Sequence, residues 1–356
     1  MARIVCLALS LFVLTLLSPG IAVAGPQVWT TNGPSEQVLA IALNPNDENT
    51  LLGAGKSGVW QTTDGGGSWT RISATLLGSS LAYAPLASNV VYASSADQKH
   101  VMKSTDGGAT WSSVFTLSPA GQILSVLPDP NVTDRVFASG SGTDNLAAIF
   151  RSLDAGATWN NVLPASLNGA GGLSVPVATP LAARPGTPGF VLSGVTYYHS
   201  GGVVGTTDGG ATWSLVYDDN FTPLAGASAI GVGNSVYAGL NVLEFGSLVR
   251  SDDNGATWMD LSSGLPISGP SGGYVQAIAT DPSATSAVYI AEWDSASNAG
   301  VFASADRGTS WSELGHLAPH VSGPDGLVLA VATQTLHAAT DSGVYEFTLG
   351  GPLPSK

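Results

Sequence analysis

Cysteine, charge and basic side chains are what this chain is short of. Its only cysteine, Cys6, lies in an apolar leader, so the rest of the chain has no disulfide and no thiolate to ligate a metal. Charged residues make up 10% of the chain, with 11 basic against 25 acidic and a formal net charge of −14. A nucleic acid or an anionic membrane wants a basic face, and neither is expected as a partner. After the leader no apolar run approaches the length of a membrane helix, so no membrane insertion is expected. Histidine is scarce too: His316 and His320 are four residues apart, but in a proline-containing loop, and no H-E-x-x-H pattern occurs. No metal and no cofactor is expected, since G-x-S-x-G and phosphate-loop motifs are also missing.

What is present is an apolar content of 44%, a globular rather than a disordered composition. Met1-Ala2-Arg3, an apolar run from Ile4 to Leu17 and the Ala22-Val23-Ala24 stretch have the order of a basic start, a hydrophobic core and a small-residue cleavage site. Residues 1–24 read as a signal peptide, with an uncleaved anchor as the competing reading, which implies a secreted or periplasmic protein. Residues 25–356 then form the mature chain.

That chain is repetitive. TTDGGGSW (62–69), STDGGATW (104–111), SLDAGATW (152–159), TTDGGATW (206–213), SDDNGATW (251–258) and SADRGTSW (304–311) share one pattern, [S/T]-x-D-x-G-x-[T/S]-W, and the aspartates are 42, 48, 54, 45 and 53 residues apart. Ahead of each octapeptide come short apolar runs, such as VLAIALNP (38–45), TLLGAG (50–55) and GVW (58–60), punctuated by Gly, Pro, Asn and Asp. Such runs at this period read as four strands per unit. The length fits seven units, an all-β seven-bladed propeller of four-stranded blades in a single domain.

Two features test that count. Residues 327–347 repeat three strands of a unit, and then TLGG stands where an octapeptide is due. Conversely QVWTTNG (27–33) has a tryptophan, Trp29, with no octapeptide before it. The start of the mature chain should supply the outer strand of the last blade and close the ring, removing an open sheet edge.

The octapeptide resembles the Asp-box of the BNR-repeat proteins, a superfamily that includes sialidases, and six matches at regular distance carry the resemblance. Among its members it is similar in size to the single-ring photosystem assembly factors, and it shares the motif with the larger sortilin-type receptors. The resemblance implies a hairpin between third and fourth strands, in which glycine permits positive φ and the aspartate binds backbone N–H groups. Asp64, Asp106, Asp154, Asp208, Asp253 and Asp306 then have a structural role. The tryptophan is expected to start the outer strand and cover the sheet edge. Sialidase chemistry implies an arginine triad, but Arg71, Arg135, Arg151, Arg184, Arg250 and Arg307 all fall near the box end of their blades, so sialidase activity is not expected. Xyloglucan-degrading relatives pair two such propellers around a cleft, and this chain has residues for one.

Function is therefore sought on the face opposite the boxes, where connections between second and third strands vary. That face is acidic and aromatic. Asp97, Asp144, Asp218, Asp219, Glu244, Glu292, Asp294 and Asp325 are its carboxylates, with Tyr197, Tyr198, His199, Phe245 and Trp293 beside them. Trp293 is read as lying in a loop, its ring either presented to a ligand or packed beneath that loop. With Tyr197, Tyr198, His199 and Asp97 it forms the candidate binding set. Glu244, Glu292 and Asp294 are the candidate catalytic carboxylates, should the protein cleave a polysaccharide. The preferred expectation is an exported, monomeric, non-catalytic propeller binding a protein or a glycan on this face. A polysaccharide-active hydrolase or lyase and a purely structural surface component are the alternatives.

Overall fold

The structure, a computed structural model, describes residues 28–117, 120–167, 177–196, 201–218, 226–242, 245–266, 273–283, 286–294, 299–314, 317, 321 and 326–350. Each repeat folds as an antiparallel meander. In the first, strands Val38–Asn44, Asp47–Gly55, Gly58–Thr62 and Thr70–Ser73 pair in chain order. Proline after Asn44, Asp129 or Asp281 ends an inner strand. In each of these turns the side-chain Oδ1 accepts the N–H two residues on, from Asn46, Asn131 and Ser283. Inner strands pack side by side around the ring, the last against the first. The architecture is a seven-bladed β-propeller of four-stranded antiparallel blades, as the repeat predicts.

The core is divided among the blade interfaces. Val288 and Ile290 of the sixth blade pack with Tyr237 and Leu248 of the fifth, and Val38 and Leu51 of the first with Ala339 and Val344 of the last. The strands alternate so that each sheet buries both faces, which explains why their sequences are apolar throughout rather than at every second residue.

The ring closes where Trp29 predicts. Three strands of the last blade, Leu327–Ala330, Thr335–Thr340 and Gly343–Thr348, gain their fourth neighbour at Thr30, which exchanges backbone hydrogen bonds of 2.9 and 2.8 Å with Glu346. Thr31 Oγ1 adds a bond of 2.7 Å to the Val344 carbonyl. The closing strand is shorter than QVWTTNG suggests, a two-bond bridge rather than a full ladder.

The tryptophans depart from expectation. Their rings do not cover a free edge but enter the interface with the preceding blade. Trp111 packs against Leu52 and Ile72 of the first blade, Trp159 on Phe115 of the second at 5.2 Å, and Trp258 on Tyr217 of the fourth at 5.5 Å. Trp29 does the same to the sixth blade, and its Nε1 donates to the Leu314 carbonyl at 2.6 Å. A ring placed between sheets buries both of its faces, where an edge cover buries one.

Candidate functional site

The boxes are turns held by their own side chains. In the third blade, Ser152 Oγ accepts the Gly156 N–H at 2.8 Å and donates to Asp154 Oδ1 at 2.8 Å. Asp154 then accepts the Thr158 N–H and hydroxyl at 2.8 and 2.6 Å. The other five boxes repeat the pattern, with the serine or threonine bonded to the box glycine and the aspartate to the hydroxyl residue four positions on. Hydrogen bonds from Thr158, Thr110 and Thr257 hydroxyls hold Asp154, Asp106 and Asp253 at a pKa of about 2, so these carboxylates are ionised at neutral pH and have no proton to give. The residue after each aspartate is left-handed even where it has a side chain, at Ala155, Asn254 and Arg307 with φ of 55 to 61°. Ser152→Ala should cost about 1–3 kcal/mol in denaturant unfolding, because it leaves a buried Gly156 N–H without its acceptor. Ligand binding should be unaffected at temperatures where the variant is folded.

Four arginines are committed at this end too: Arg135 pairs with Asp129 at 2.6 Å, Arg151 and Arg250 donate to the Gly209 and Arg307 carbonyls, and Arg307 meets Asp252 at 3.3 Å. Arg71 departs from the expectation, because its side chain reaches the Ser57 carbonyl in the turn between the second and third strands, at the opposite end. Arg184 lies over the Phe190 ring. The channel mouth at the box end is a cavity of 410 Å³ lined by inner-strand residues including Leu43, Tyr83, Ile278 and Val328, with no carboxylate or base in its wall.

The opposite face changes the sequence reading in detail. The second strand of the sixth blade runs Val288–Asp294, so Glu292 and Trp293 are on a strand and not in a loop. Glu292 is 2% exposed, a buried carboxylate rather than a solvated one, paired in register with Val275 and Gly300. Trp293 is half-buried, and its ring lies 6.1 Å from that of Tyr274, its register partner at the start of the inner strand. Strand alternation sends the two residues to different faces of the sheet. Glu292 shares a face with Val288 and Ile290, toward the fifth blade, and Trp293 with Tyr289 and Ala291, toward the seventh. Tyr274, which the sequence reading did not single out, lies within the inner strand Gly273–Thr280.

Asp97 serves its own turn. It accepts hydrogen bonds from Ser95 Oγ and Lys99 N and lies 3.6 Å from His100 Nε2; the Ser95 bond chiefly holds its pKa below the usual range. Asp144 likewise caps the Leu146 N–H, and Asp218 ends an exposed outer strand. Tyr197, Tyr198, His199, Asp219, Glu244 and Asp325 lie outside the described residues, as do the side chains of Phe245 and Asp294. Among the described residues no group of His, Cys, Asp and Glu is placed to hold a metal ion, and no helix is long and apolar enough to cross a membrane.

No protein-family model and no curated protein sequence matches the chain. Solved structures do. The chain is similar to the GH74 xyloglucanase from Xanthomonas campestris (TM-score 0.68, 17% identity, covering 93% of this chain and 55% of that one). It is also similar to YCF48 bound to D1 peptide (TM-score 0.62, 15% identity, 91% and 97%) and to YCF48 from Cyanidioschyzon merolae (0.60, 15%, 90% and 98%). At such identities the likeness is one of fold. The chain spans about half the length of the xyloglucanase and nearly all of YCF48.

Proposed function

We propose that this is an exported propeller of the Asp-box kind that binds a protein or a glycan, without catalysis, through the face opposite its boxes. The observation that carries the reading is the Tyr274–Trp293 pair, two half-buried aromatic rings side by side at the open end of the sixth blade. Aromatic anchors of this kind give binding energy to a peptide side chain or to the C–H face of a sugar. The box end has its polar groups engaged in turns, which leaves the other face to vary. YCF48, similar over nearly its whole length, has been solved with a bound peptide, which supports a protein ligand. Residues 1–24 act as the export signal.

Glu292 is the specific observation favouring the second reading, a polysaccharide-active enzyme. A carboxyl buried to 2% exposure is the kind of group that can be kept protonated to act as a general acid. Against it, Glu292 and Trp293 occupy opposite sheet faces, so sugar stacking and proton donation do not meet at one point. The test is a hydrolysis and binding screen over plant and bacterial polysaccharides and peptide libraries. Wild type and Glu292→Gln should both bind without turnover. Hydrolysis by the wild type that Glu292→Gln abolishes would replace the binding reading with the enzymatic one.

A further inference from the structure

One register position, the third-strand residue just before each of the six boxes, or before the place where the last blade has none, with its partner on the second strand, is solved differently around the ring. The pairs are Leu52–Gln61, Tyr92–Lys103, Phe137–Arg151, Leu192–Gly205, Tyr237–Arg250, Tyr289–Ala303 and His337–Glu346. In the second, third and fifth blades the pair is an aromatic ring and a cation. Each cation reaches across to the next blade's box and donates to the carbonyl of the left-handed residue: Lys103 Nζ to Ala155 at 2.8 Å, Arg151 Nη1 to Gly209 at 3.0 Å and Arg250 Nη1 to Arg307 at 2.7 Å. A cation on an aromatic and aliphatic bed thus seals three blade interfaces.

The fourth blade has neither part. Leu192 replaces the ring and Gly205 the cation, and between this sheet and the fifth box a cavity of 320 Å³ opens. Phe190, Leu192, Trp213 and Val216 form its apolar wall, and Asn254 lines its far side. Asn254 is the left-handed residue of the fifth box, at φ 61°, and so stands where Ala155, Gly209 and Arg307 accept their cations. Gly205 has no side chain to bring it a donor. Trp213 Nε1, like Trp69 Nε1 and Trp311 Nε1, has no hydrogen-bond partner among the described residues, whereas the Nε1 groups of Trp111, Trp159 and Trp258 donate to the carbonyls of their own box glycines.

We infer that this cleft between the fourth and fifth blades is a binding site for a guanidinium or ammonium group on an apolar stem, the group that the chain itself supplies at three equivalent positions. The stem lies along Phe190, Leu192 and Val216, and the cation donates to the Asn254 carbonyl. The cavity volume is in the range of small-ligand sites, and a chain of net charge −14 attracts a cation. This site is on the box side of the ring, separate from the aromatic pair proposed above.

Calorimetric titration of the full chain with N-acetyl-arginine methylamide, its citrulline and norleucine analogues, and agmatine tests it. Saturable binding of the arginine compound, at least tenfold tighter than citrulline or norleucine, is the expected result. Agmatine binding tighter than the capped residue assigns the cleft to free amines; the reverse assigns it to an arginyl side chain of a partner polypeptide. Gly205→Arg should supply the cation internally, raise Tm and abolish binding. A Cβ there meets only the movable ends of Leu192, at 2.9 Å, and Val216, at 3.2 Å. Leu192→Tyr, which fills the cleft without touching the glycine, should weaken binding at least tenfold if Gly205→Arg does not fold. No saturable binding, equal binding of citrulline, or binding that survives both substitutions would overturn the assignment.

Discussion

Trp29→Ala is expected to destabilise the protein by about 3–5 kcal/mol, as large-to-small core changes at aromatic positions do. The indole is 8% exposed, lies 5.2 Å from the Phe347 ring, and donates to Leu314, so one substitution removes packing and hydrogen bonding at once. It also loosens the two-bond backbone bridge between Thr30 and Glu346, which with the Thr31–Val344 bond gives the last blade its fourth neighbour. Deleting residues 25–34 should go further and expose the edge of strand Gly343–Thr348, and concentration-dependent aggregation should accompany the lower melting temperature. Urea unfolding and light scattering on wild type, Trp29→Ala and the deletion check this. A deletion that melts like the wild type would mean that the termini do not seal the ring.

The second large effect is on pH dependence, and it comes from the same blade. Where other blades put a cation, the seventh has Glu346, whose carboxyl packs against Gly66 of the first box and lies 3.9 Å from buried His337. Burial, and secondarily the negative Asp64, push Glu346 up to about 7, and burial pushes His337 down to about 4. Around pH 6 both are therefore neutral, and their contact is not an ion pair. A carboxyl with a raised folded-state pKa gives up stability as pH rises through that value, since the folded state must then ionise a group that the unfolded state ionises near 4.5. His337 contributes in the opposite direction, but between about 4 and 6.5, and it is common to both proteins compared. Glu346→Gln should therefore become more stable relative to wild type by on the order of 2 kcal/mol between pH 5 and pH 8, with the 15% exposure of the side chain already discounted. Paired denaturant curves at the two pH values measure it. A difference that stays constant, or shrinks toward pH 8, would place Glu346 in water.

These two predictions rest on parts of the fold that the sequence shows unequally. The octapeptides and their period were enough for the ring and its blade number, because each box is a local turn whose serine or threonine, aspartate and glycine are held by hydrogen bonds within the octapeptide. Trp29 could be placed beside the last blade because residues 327–347 repeat three strands of a unit without an outer one, and QVWTTNG has an outer strand without a unit. Tertiary contacts were harder to see. The reading of the tryptophans as edge covers failed because nothing local tells whether an indole folds onto its own sheet or the neighbouring one.

The candidate site suffered from strand ends. The second strand of the sixth blade runs on through Glu292 and Trp293, so alternation and not loop geometry decides where they point. Tyr274 became visible only once the register with Trp293 was known. The residue before each box, Gln61, Lys103, Arg151, Gly205, Arg250 or Ala303, and Glu346 at the same position of the last blade, were in plain sight. Their importance lies in contacts between blades, which a scan for repeats averages away.

The central claim is that the repeated boxes hold the ring together while ligand binding belongs to the opposite face. The most direct test is affinity measured side by side for wild type, Ser152→Ala and Trp293→Ala, against whichever glycan or peptide the screen identifies, well below the melting point of each. The account predicts wild-type affinity for Ser152→Ala despite its lower stability, and a loss of about 1–3 kcal/mol for Trp293→Ala, as for an aromatic anchor. Binding that Ser152→Ala abolishes and Trp293→Ala leaves intact would contradict it.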